Sequence, residues 1–469
     1  MKVDFTKIER AFNPKTVAVV GDKSTNNNVW LRGQSNFKGK LYSVQVDPKE
    51  IEGIKALGVP NYTSLLDIPG PIDLVIVAVP RSVAQSILEN CIEKDVAAAH
   101  FFTSGFTETD TEEGKRAEKM LVERAREANF HLIGPNCMGV YNPAVGIRQS
   151  PRQPFGFKGN IGFISQSGTN AEIFAEEAYS HSLLINKSVS FGNGRVLDGT
   201  DYLEYFAQDN EIKAIGMYLE GTRNGPRFLK TLKMVAAIKP VVIWKGGRTE
   251  DGGRAIASHT GSLAMPWAIW KSAIRQCGAI SVSNMEEMTD TLNAILLMKP
   301  VSGNRVGITG GSGGQSVSIA DIFAENGLKV PPLTKESYDK FAGFFILIGS
   351  GYRNPIDPGV NRRETKRIMD ILEQDANIDN LLLMTSVISQ LRTIEQVARD
   401  VDMLIELRNR SSKPVAMVLG YAAPESIQEI KSVAQKLHDG GVPLFTAVER
   451  CAKALRNAHE YYILKNPGS

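Results

Sequence analysis

The run K-G-G-R-T-E-D-G-G-R-A-I-A-S-H-T-G-S-L-A, residues 245–264, places four glycines and several charges before one histidine, His259. Imidazole, with an ordinary pKa of ~6.5, is largely neutral near pH 7. It can attack phosphorus if an acceptor holds its other ring nitrogen. Glu220, closing the run G-M-Y-L-E-G, is the candidate acceptor. A glutamate that ends a parallel strand lies at the ligand-binding edge of the sheet, and an unpaired buried carboxylate there is costly. Gly246, Gly247, Gly252 and Gly253 point to a mobile loop or a close backbone approach, and Lys245, Arg248 and Arg254 could meet a phosphate. Taken singly, a lone histidine is more often structural and a loop-start glutamate more often solvated, so the reading depends on what accompanies them.

The stretch I-S-Q-S-G-T-N-A-E sets Ser165, Ser167, Gly168 and Thr169 where a helix should begin. Free backbone N–H groups and the positive end of the helix dipole favour an anion there, and hydroxyls add donors. A plain Ser/Thr N-cap is the simpler alternative. The loop G-G-S-G-G at 310–314 has the look of a phosphate cradle but lacks the G-K-[ST] ending of a P-loop. Near the N-terminus, V-G-D-K-S-T-N-N-N-V-W is not G-x-G-x-x-G, although Lys23 and Lys49 suit an anionic ligand such as CoA.

These motifs sit on a regular alternation. Short Val/Ile-rich runs alternate with helical patterns, the signature of parallel sheets covered on both faces. The runs fall into three groups: residues 16–20, 41–46, 74–79 and 97–102; then 160–165, 187–190, 214–219 and 241–245; then 305–309, 380–384, 414–418 and 443–445. The aperiodic Pro/Gly-rich stretch 144–159 and the P-V-S-G-N at 300–304 separate them, so domains are expected at 1–145, 158–300 and 303–469. A chain of 469 residues has room for about three domains at ~100–200 residues each. A net charge of +3 and 22% charged residues give no nucleic-acid stripe or polybasic membrane patch. The four cysteines are far apart, and neither an apolar leader nor a run of ~18 apolar residues occurs. A reducing, cytoplasmic setting with no membrane span is expected.

In order, I-G-P-N-C-M-G-V at 133–140, I-S-Q-S-G-T at 164–169, Y-L-E-G at 218–221 and the 245–264 block resemble the α subunit of ADP-forming acetyl-CoA synthetases, in the superfamily of succinyl-CoA synthetase. The resemblance covers nearly the whole chain. It implies an α/β fold of three consecutive doubly wound domains: a Rossmann-like CoA-binding domain, then two flavodoxin-like, succinyl-CoA synthetase-like domains. It also implies an acid–thiol ligase converting a small carboxylic acid, CoA and ATP into acyl-CoA, ADP and phosphate through an acyl phosphate and a phosphohistidine. His259 matches the phosphorylated histidine and Glu220 the carboxylate that orients it. Ser165, Ser167, Gly168 and Thr169 match the phosphate-holding helix start. Gly21, Lys23, Lys49, Val79, Pro80, Ser104 and Gly105 match CoA-facing loops, with Pro135 and Asn136 near the reactive thiol.

No ATP-grasp domain is recognisable in the chain. The resemblance therefore implies a separate ATP-grasp β subunit that brings ATP/ADP and Mg2+, in an α2β2 hetero-oligomer, with His259 travelling between the two sites. No metal site is expected in this chain, and no nucleic acid or membrane partner. The S-T-N-N-N-V-W loop and the F-G-N-G at 191–194 depart from the family's glycine-rich and L-G-N-K forms, which bears on CoA contacts and on the acyl pocket. Two other classes compete: a non-catalytic CoA- or acyl-CoA-binding regulatory module of the same fold, and an NAD(P)-dependent oxidoreductase, which the broken fingerprint disfavours.

Overall fold

The computed structural model describes residues 2–260, 266–387, 394–422 and 427–465, with backbone alone at the positions bordering the inner gaps. The chain divides into two compact units, 1–285 and 286–469.

The first unit holds two sheets. In the first, β1 (Thr16–Val20), β2 (Lys40–Val44), β3 (Asn61–Tyr62), β4 (Leu74–Val77), β5 (Ala98–Phe101) and β6 (Leu132–Ile133) run parallel in the order β3-β2-β1-β4-β5-β6. This is the dinucleotide-fold winding, with its switch point between β1 and β4. β1 and β4 are buried along their whole length and, Thr16 apart, apolar, as strands covered on both faces must be.

The second sheet contains β7 (Gly139–Tyr141), β8 (Ile161–Ser165), β9 (Ile185–Ser190), β10 (Ala214–Leu219), β11 (Val241–Lys245) and β12 (Ile280–Val282), in the order β12-β11-β10-β8-β9-β7. Its five later strands are parallel and wound like flavodoxin, and the switch point falls between β8 and β10. β7 lies within 1–145 by sequence, yet it pairs antiparallel with β9 and so ties the first chain segment into the second sheet. The N-terminal helix Phe5–Phe12 adds a second tie. Phe12 is fully buried, with ring centroids 5.2 Å from Tyr205 and 5.6 Å from Phe206 on the helix Gly199–Gln208.

A third tie joins the loops at the carboxyl edges. Asn193 N–H donates to the Pro135 carbonyl (3.0 Å) and Arg195 N–H to the Gly134 carbonyl (3.3 Å). Gly192, at φ +52°, lies so close that a Cβ would sit 2.1 Å from the Asn136 carbonyl oxygen. The edges of the two sheets are thereby held against each other.

The second unit carries β13 (Val306–Thr309), β14 (Asn380–Val387), β15 (Val415–Ala422) and β16 (Leu444–Phe445), parallel and in sequence order. Single bridges Arg305–Lys329 and Thr309–Ile356 occupy the far side of β13, where the flavodoxin winding keeps a full strand. The helix Met285–Leu297 belongs with this unit: Arg450 Nε on the helix Val448–Lys465 meets Asp290 Oδ2 at 2.7 Å, and Asn457 Nδ2 donates to Thr291 Oγ1 at 2.9 Å. Among the described residues no helix is long and apolar enough to cross a membrane.

Two sequence readings differ from the structure. The block after Lys245 is not a loop throughout, because residues 250–260 form a helix. Thr249 Oγ1 accepts the Gly252 N–H (3.1 Å) at its start, and Arg254 pairs with Glu250 one turn back (3.1 Å). The glycines there serve close approach instead: a Cβ on Gly252 would lie 3.1 Å from Gly247 Cα. In the second unit, the amide of Gly313 in the G-G-S-G-G loop is already taken by Asp357 Oδ2 at 2.6 Å, and Asp357 Oδ1 accepts from Gly359 N–H at 3.0 Å. The chain's own carboxylate thus already takes one of the amides this loop could offer a phosphate.

Two buried histidines make stability depend on pH. His100 on β5 lies 5.4 Å from the Trp30 ring, and neither ring nitrogen has a partner among the described residues. Burial pushes its pKa down to about 3 and that of His131 down to about 4. The folded pKa values are lower than the unfolded ones, so the unfolded chain binds more protons and stability falls as pH drops below ~6.5. Each histidine should contribute about 1.4 kcal/mol per pH unit until its folded pKa is reached. Urea unfolding at pH 7 and pH 5 should show that His100→Leu, which removes a titrating ring without orphaning a partner, is less acid-sensitive than the wild type. At the loop junction, Gly192→Ala should cost about 1–3 kcal/mol through overpacking at a left-handed position. It should also speed amide exchange at Asn193 and Arg195, read by hydrogen-exchange mass spectrometry.

Candidate functional site

Ser167 ends the turn after β8 and caps the helix Gly168–Ser180, its Oγ accepting the Asn170 N–H at 3.3 Å. The plain N-cap reading is thus realised, while the first-turn N–H groups of Gly168 and Thr169 have no intrahelical partner by helix geometry. Ser165 behaves differently from its neighbours. It is fully buried, and its hydroxyl donates to the Ser167 carbonyl (2.6 Å) and accepts the Ser167 N–H (3.2 Å). Ser165 therefore shapes the turn, whereas Ser167, Gly168 and Thr169 face a cavity.

That cavity, about 190 Å³, is lined from the second sheet by Gln166, Ser167, Gly168, Thr169, Gly192 and Asn193, and from the first by Phe102, Asn136, Cys137 and Met138. It brings together Asn136, marked by sequence for the thiol side, and the helix start marked for phosphate. Asn136 is set in the left-handed region (φ +57°), with its N–H donating to the Thr103 carbonyl at 3.0 Å. Gly168 is required here because a Cβ would meet Met138 Cγ at 2.6 Å. Cys137 forms wall only: burial pushes its thiol up to about 12, so it stays protonated at neutral pH.

Glu220 follows β10 and is buried. Its N–H donates to Gln166 Oε1 (2.9 Å), its Oε1 accepts from the Tyr218 hydroxyl (3.3 Å), and its carbonyl accepts from Lys245 Nζ (2.7 Å). Lys245 also donates to the Gly246 carbonyl, and burial lowers its pKa. Gly246 packs so tightly on this group that a Cβ would lie 2.6 Å from the Tyr218 hydroxyl. Gln166, Lys245 and Tyr218 thus hold the Glu220 backbone and one carboxylate oxygen. The sequence motifs contain all three, but only the tertiary contacts reveal this use.

His259 lies on the helix Glu250–Thr260, which runs against the turn Thr107–Thr109 of the first sheet's loops; its side chain is outside the described residues, as are positions 261–265. Asn193, which sequence reasoning missed, joins these loops across the junction: its Nδ2 donates to Glu108 Oε2 (2.8 Å) and Glu118 Oε2 (2.7 Å). Only its place in the F-G-N-G departure marked it in advance.

The loops marked for CoA form a row along the first sheet's carboxyl edge. Gly21 (φ +83°) approaches Val79, where a Cβ would be 2.5 Å from Val79 Cγ1. Thr103 Oγ1 donates to the Val79 carbonyl (2.8 Å), Pro80 stands at the N-cap position of the helix Arg81–Glu93, and Gly105 (φ +98°) follows exposed Ser104. Lys23 and Lys49 are exposed on adjoining loops joined by the Ser24 N–H donating to Glu50 Oε2 (2.7 Å). In this loop, Asp22 accepts from the N–H groups of Lys23 (3.1 Å) and Leu31 (2.8 Å), and burial raises its pKa. The amides of Lys23, Ser24 and Leu31 are therefore already bonded to carboxylates of the chain, and the Lys23 and Lys49 side chains remain exposed.

Residues 15–143 match the CoA binding domain family and residues 158–295 the succinyl-CoA ligase like flavodoxin domain family. The chain is 34% identical to the α subunit of acetate–CoA ligase [ADP-forming] II of Pyrococcus furiosus, over 94% of this chain and 95% of that one. It is 33% identical to acetate–CoA ligase [ADP-forming] I of Archaeoglobus fulgidus over 96% of this chain, but spans only 63% of that longer protein. The acetyl-coenzyme A synthetase 1 of Ca. Korarchaeum cryptofilum, solved with phosphate and ADP, superposes with a TM-score of 0.84 at 27% identity, covering 98% of this chain and 97% of that one. The chain belongs to the family of the α subunits of ADP-forming acetate–CoA ligases.

Proposed function

We propose that the chain is the CoA-binding, histidine-phosphorylated subunit of an ADP-forming acyl-CoA ligase, interconverting a carboxylic acid, CoA and ATP with acyl-CoA, ADP and phosphate. The observation that carries this reading is the shared cavity, with Asn136 on one wall and Ser167, Gly168 and Thr169 on the other. A phosphoryl group held by the helix start there would lie beside a thiol delivered along the first sheet's edge.

In the synthetic direction a carboxylate oxygen of the acid attacks the phosphorus carried on His259. The N–P bond breaks, and the acyl phosphate that forms leaves the imidazole neutral. The N–H groups of Gly168 and Thr169 and the Ser167 hydroxyl donate to the phosphoryl oxygens, where the helix dipole stabilises negative charge. Glu220 accepts the N–H of the other ring nitrogen, as a carboxylate orients histidine in other nucleophilic sites. The CoA sulfur then attacks the acyl carbon. The C–O bond to phosphate breaks, releasing acyl-CoA and inorganic phosphate, and the thiol proton leaves with phosphate or solvent. On the CoA side, Gly21, Val79, Pro80, Ser104, Gly105 and Pro135 supply close backbone approach, with Lys23 and Lys49 set against the ligand's phosphates.

The nucleotide and its Mg2+ are assigned to an ATP-grasp β subunit in an α2β2 assembly, on the chain's likeness to a protein named as an α subunit, of which it covers 95%. Two sites sharing one phosphoryl group require the histidine-bearing segment to move between them.

With labelled ATP and the β subunit, His259→Ala should abolish phosphoryl labelling of the chain while circular dichroism stays unchanged. Glu220→Gln should lower turnover on the order of 10²-fold. The chain without its partner should show no CoA-dependent phosphate release. Labelling that survives His259→Ala would remove the proposal's basis, and CoA binding without turnover after reconstitution would fit a CoA-binding module instead.

A further inference from the structure

We infer that a second cavity behind Gln166 receives the carbon chain of the acid, and that this chain therefore acts on acids larger than acetate; the inference rests on the ligase reading above. The cavity, about 320 Å³, opens at the switch point between β8 and β10, and its lining includes Phe191, Arg195, Leu219, Thr222 and Arg223. It shares Gln166 and Asn193 with the phosphate-side cavity, so the two adjoin.

Gln166 is only 9% exposed. Its Oε1 accepts the N–H groups of both Glu220 (2.9 Å) and Gly221 (3.2 Å). Only the carbonyl end of an amide can accept, so the orientation is fixed and the NH2 group is the end left to face the cavities. It donates to none of the described residues. A nearly buried donor at the seam between a phosphate-side cavity and a second pocket suits a carboxylate or acyl oxygen placed between them.

The pocket's floor and rim divide the remaining recognition. Phe191, Leu219 and Phe228 are buried and apolar. At the rim, Arg223 Nη1 donates to the Gly194 carbonyl (2.9 Å), Arg126 Nη2 to the Arg195 carbonyl (2.8 Å), and Arg195 Nε meets Glu118 at 2.7 Å. The guanidiniums of Arg126, Arg195 and Arg223 and the carboxylates of Glu118 and Asp198 thus meet at the rim, where they can contact a polar end of the acid. A volume of about 320 Å³ falls in the ~300–1,000 Å³ range of pockets for larger organic ligands, far more than a two-carbon acid fills. Each methylene in such a pocket changes kcat/KM by roughly 10- to 200-fold.

The test assays the complex reconstituted with its β subunit on acetate, butyrate, hexanoate and 3-phenylpropionate. The wild type should favour at least one larger acid over acetate by at least about 10-fold in kcat/KM. Thr222→Phe, which narrows the cavity, should lower that larger-acid-to-acetate ratio by about 10-fold or more. Phe191→Leu, which widens it, should move the optimum toward the bulkier acid, so a poorly folded variant of one kind leaves the other to decide. A wild-type preference for acetate, or one acid profile shared by all three enzymes, overturns the inference. Phosphoryl labelling in the same preparations separates the two levels: a labelled enzyme with a flat profile overturns the pocket alone, and an unlabelled wild-type chain overturns the ligase reading and the pocket with it.

Discussion

Two backbone hydrogen bonds, from Asn193 and Arg195 to the Pro135 and Gly134 carbonyls, set the carboxyl edges of two parallel sheets against each other. Each sheet alone would offer its own switch-point crevice for its own ligand. Held together, their loops enclose one cavity with Asn136 on one wall and a helix N-terminus on the other. The constraint explains residue choices that look arbitrary in isolation. Gly192 leaves room for the Asn136 carbonyl, Gly168 leaves room for Met138, and Asn136 itself takes a left-handed backbone. Asn193 reinforces the same junction with two charge-assisted bonds to Glu108 and Glu118.

The groups around Glu220 follow from a related need. A carboxylate at a buried strand end must be aimed as well as accommodated, because its solvation is lost and its partners are few. Here the aim is set through the backbone: Gln166 takes two amides, Lys245 takes two carbonyls, and Gly246 lets the Tyr218 hydroxyl close in from the neighbouring strand. The buried ammonium of Lys245, its pKa lowered by desolvation, is a costly way to hold two carbonyls. Such expense gathers where position matters more than stability.

What could be read in advance divides along the same physical line. The long Val/Ile-rich strands were legible because burial on both faces imposes a continuous apolar run, as β1, β4 and β10 show. The two- and three-residue strands β3, β6, β7 and β12 were not, since so few residues carry no periodicity. The glycines at 252 and 253 suggested a loop, but a threonine cap and acidic first turn make a helix of them. Within the site, Ser167 to Thr169 and Glu220 announce themselves by position at strand ends. Gln166 and Asn193 acquire their roles only from partners 54 and 75–85 residues away, which no local pattern encodes.

The first loop and the glycine loop of the second unit show the same limit from the opposite side. Both have small, polar sequences of the kind that cradle phosphate, and in both a carboxylate of the chain accepts the amides instead: Asp22 and Glu50 in one, Asp357 in the other. A backbone amide already bonded to a carboxylate gains little by exchanging it for a phosphate oxygen of like charge. In the reading proposed above, anion recognition falls instead to the exposed side chains of Lys23 and Lys49 at the first sheet's edge and to the first-turn amides of Gly168 and Thr169 at the second. The contrast separates the helix starts. Of these three small-residue turns, the one after β8 receives no carboxylate on its first-turn amides from the described residues, and it opens into the cavity that the sheet junction creates.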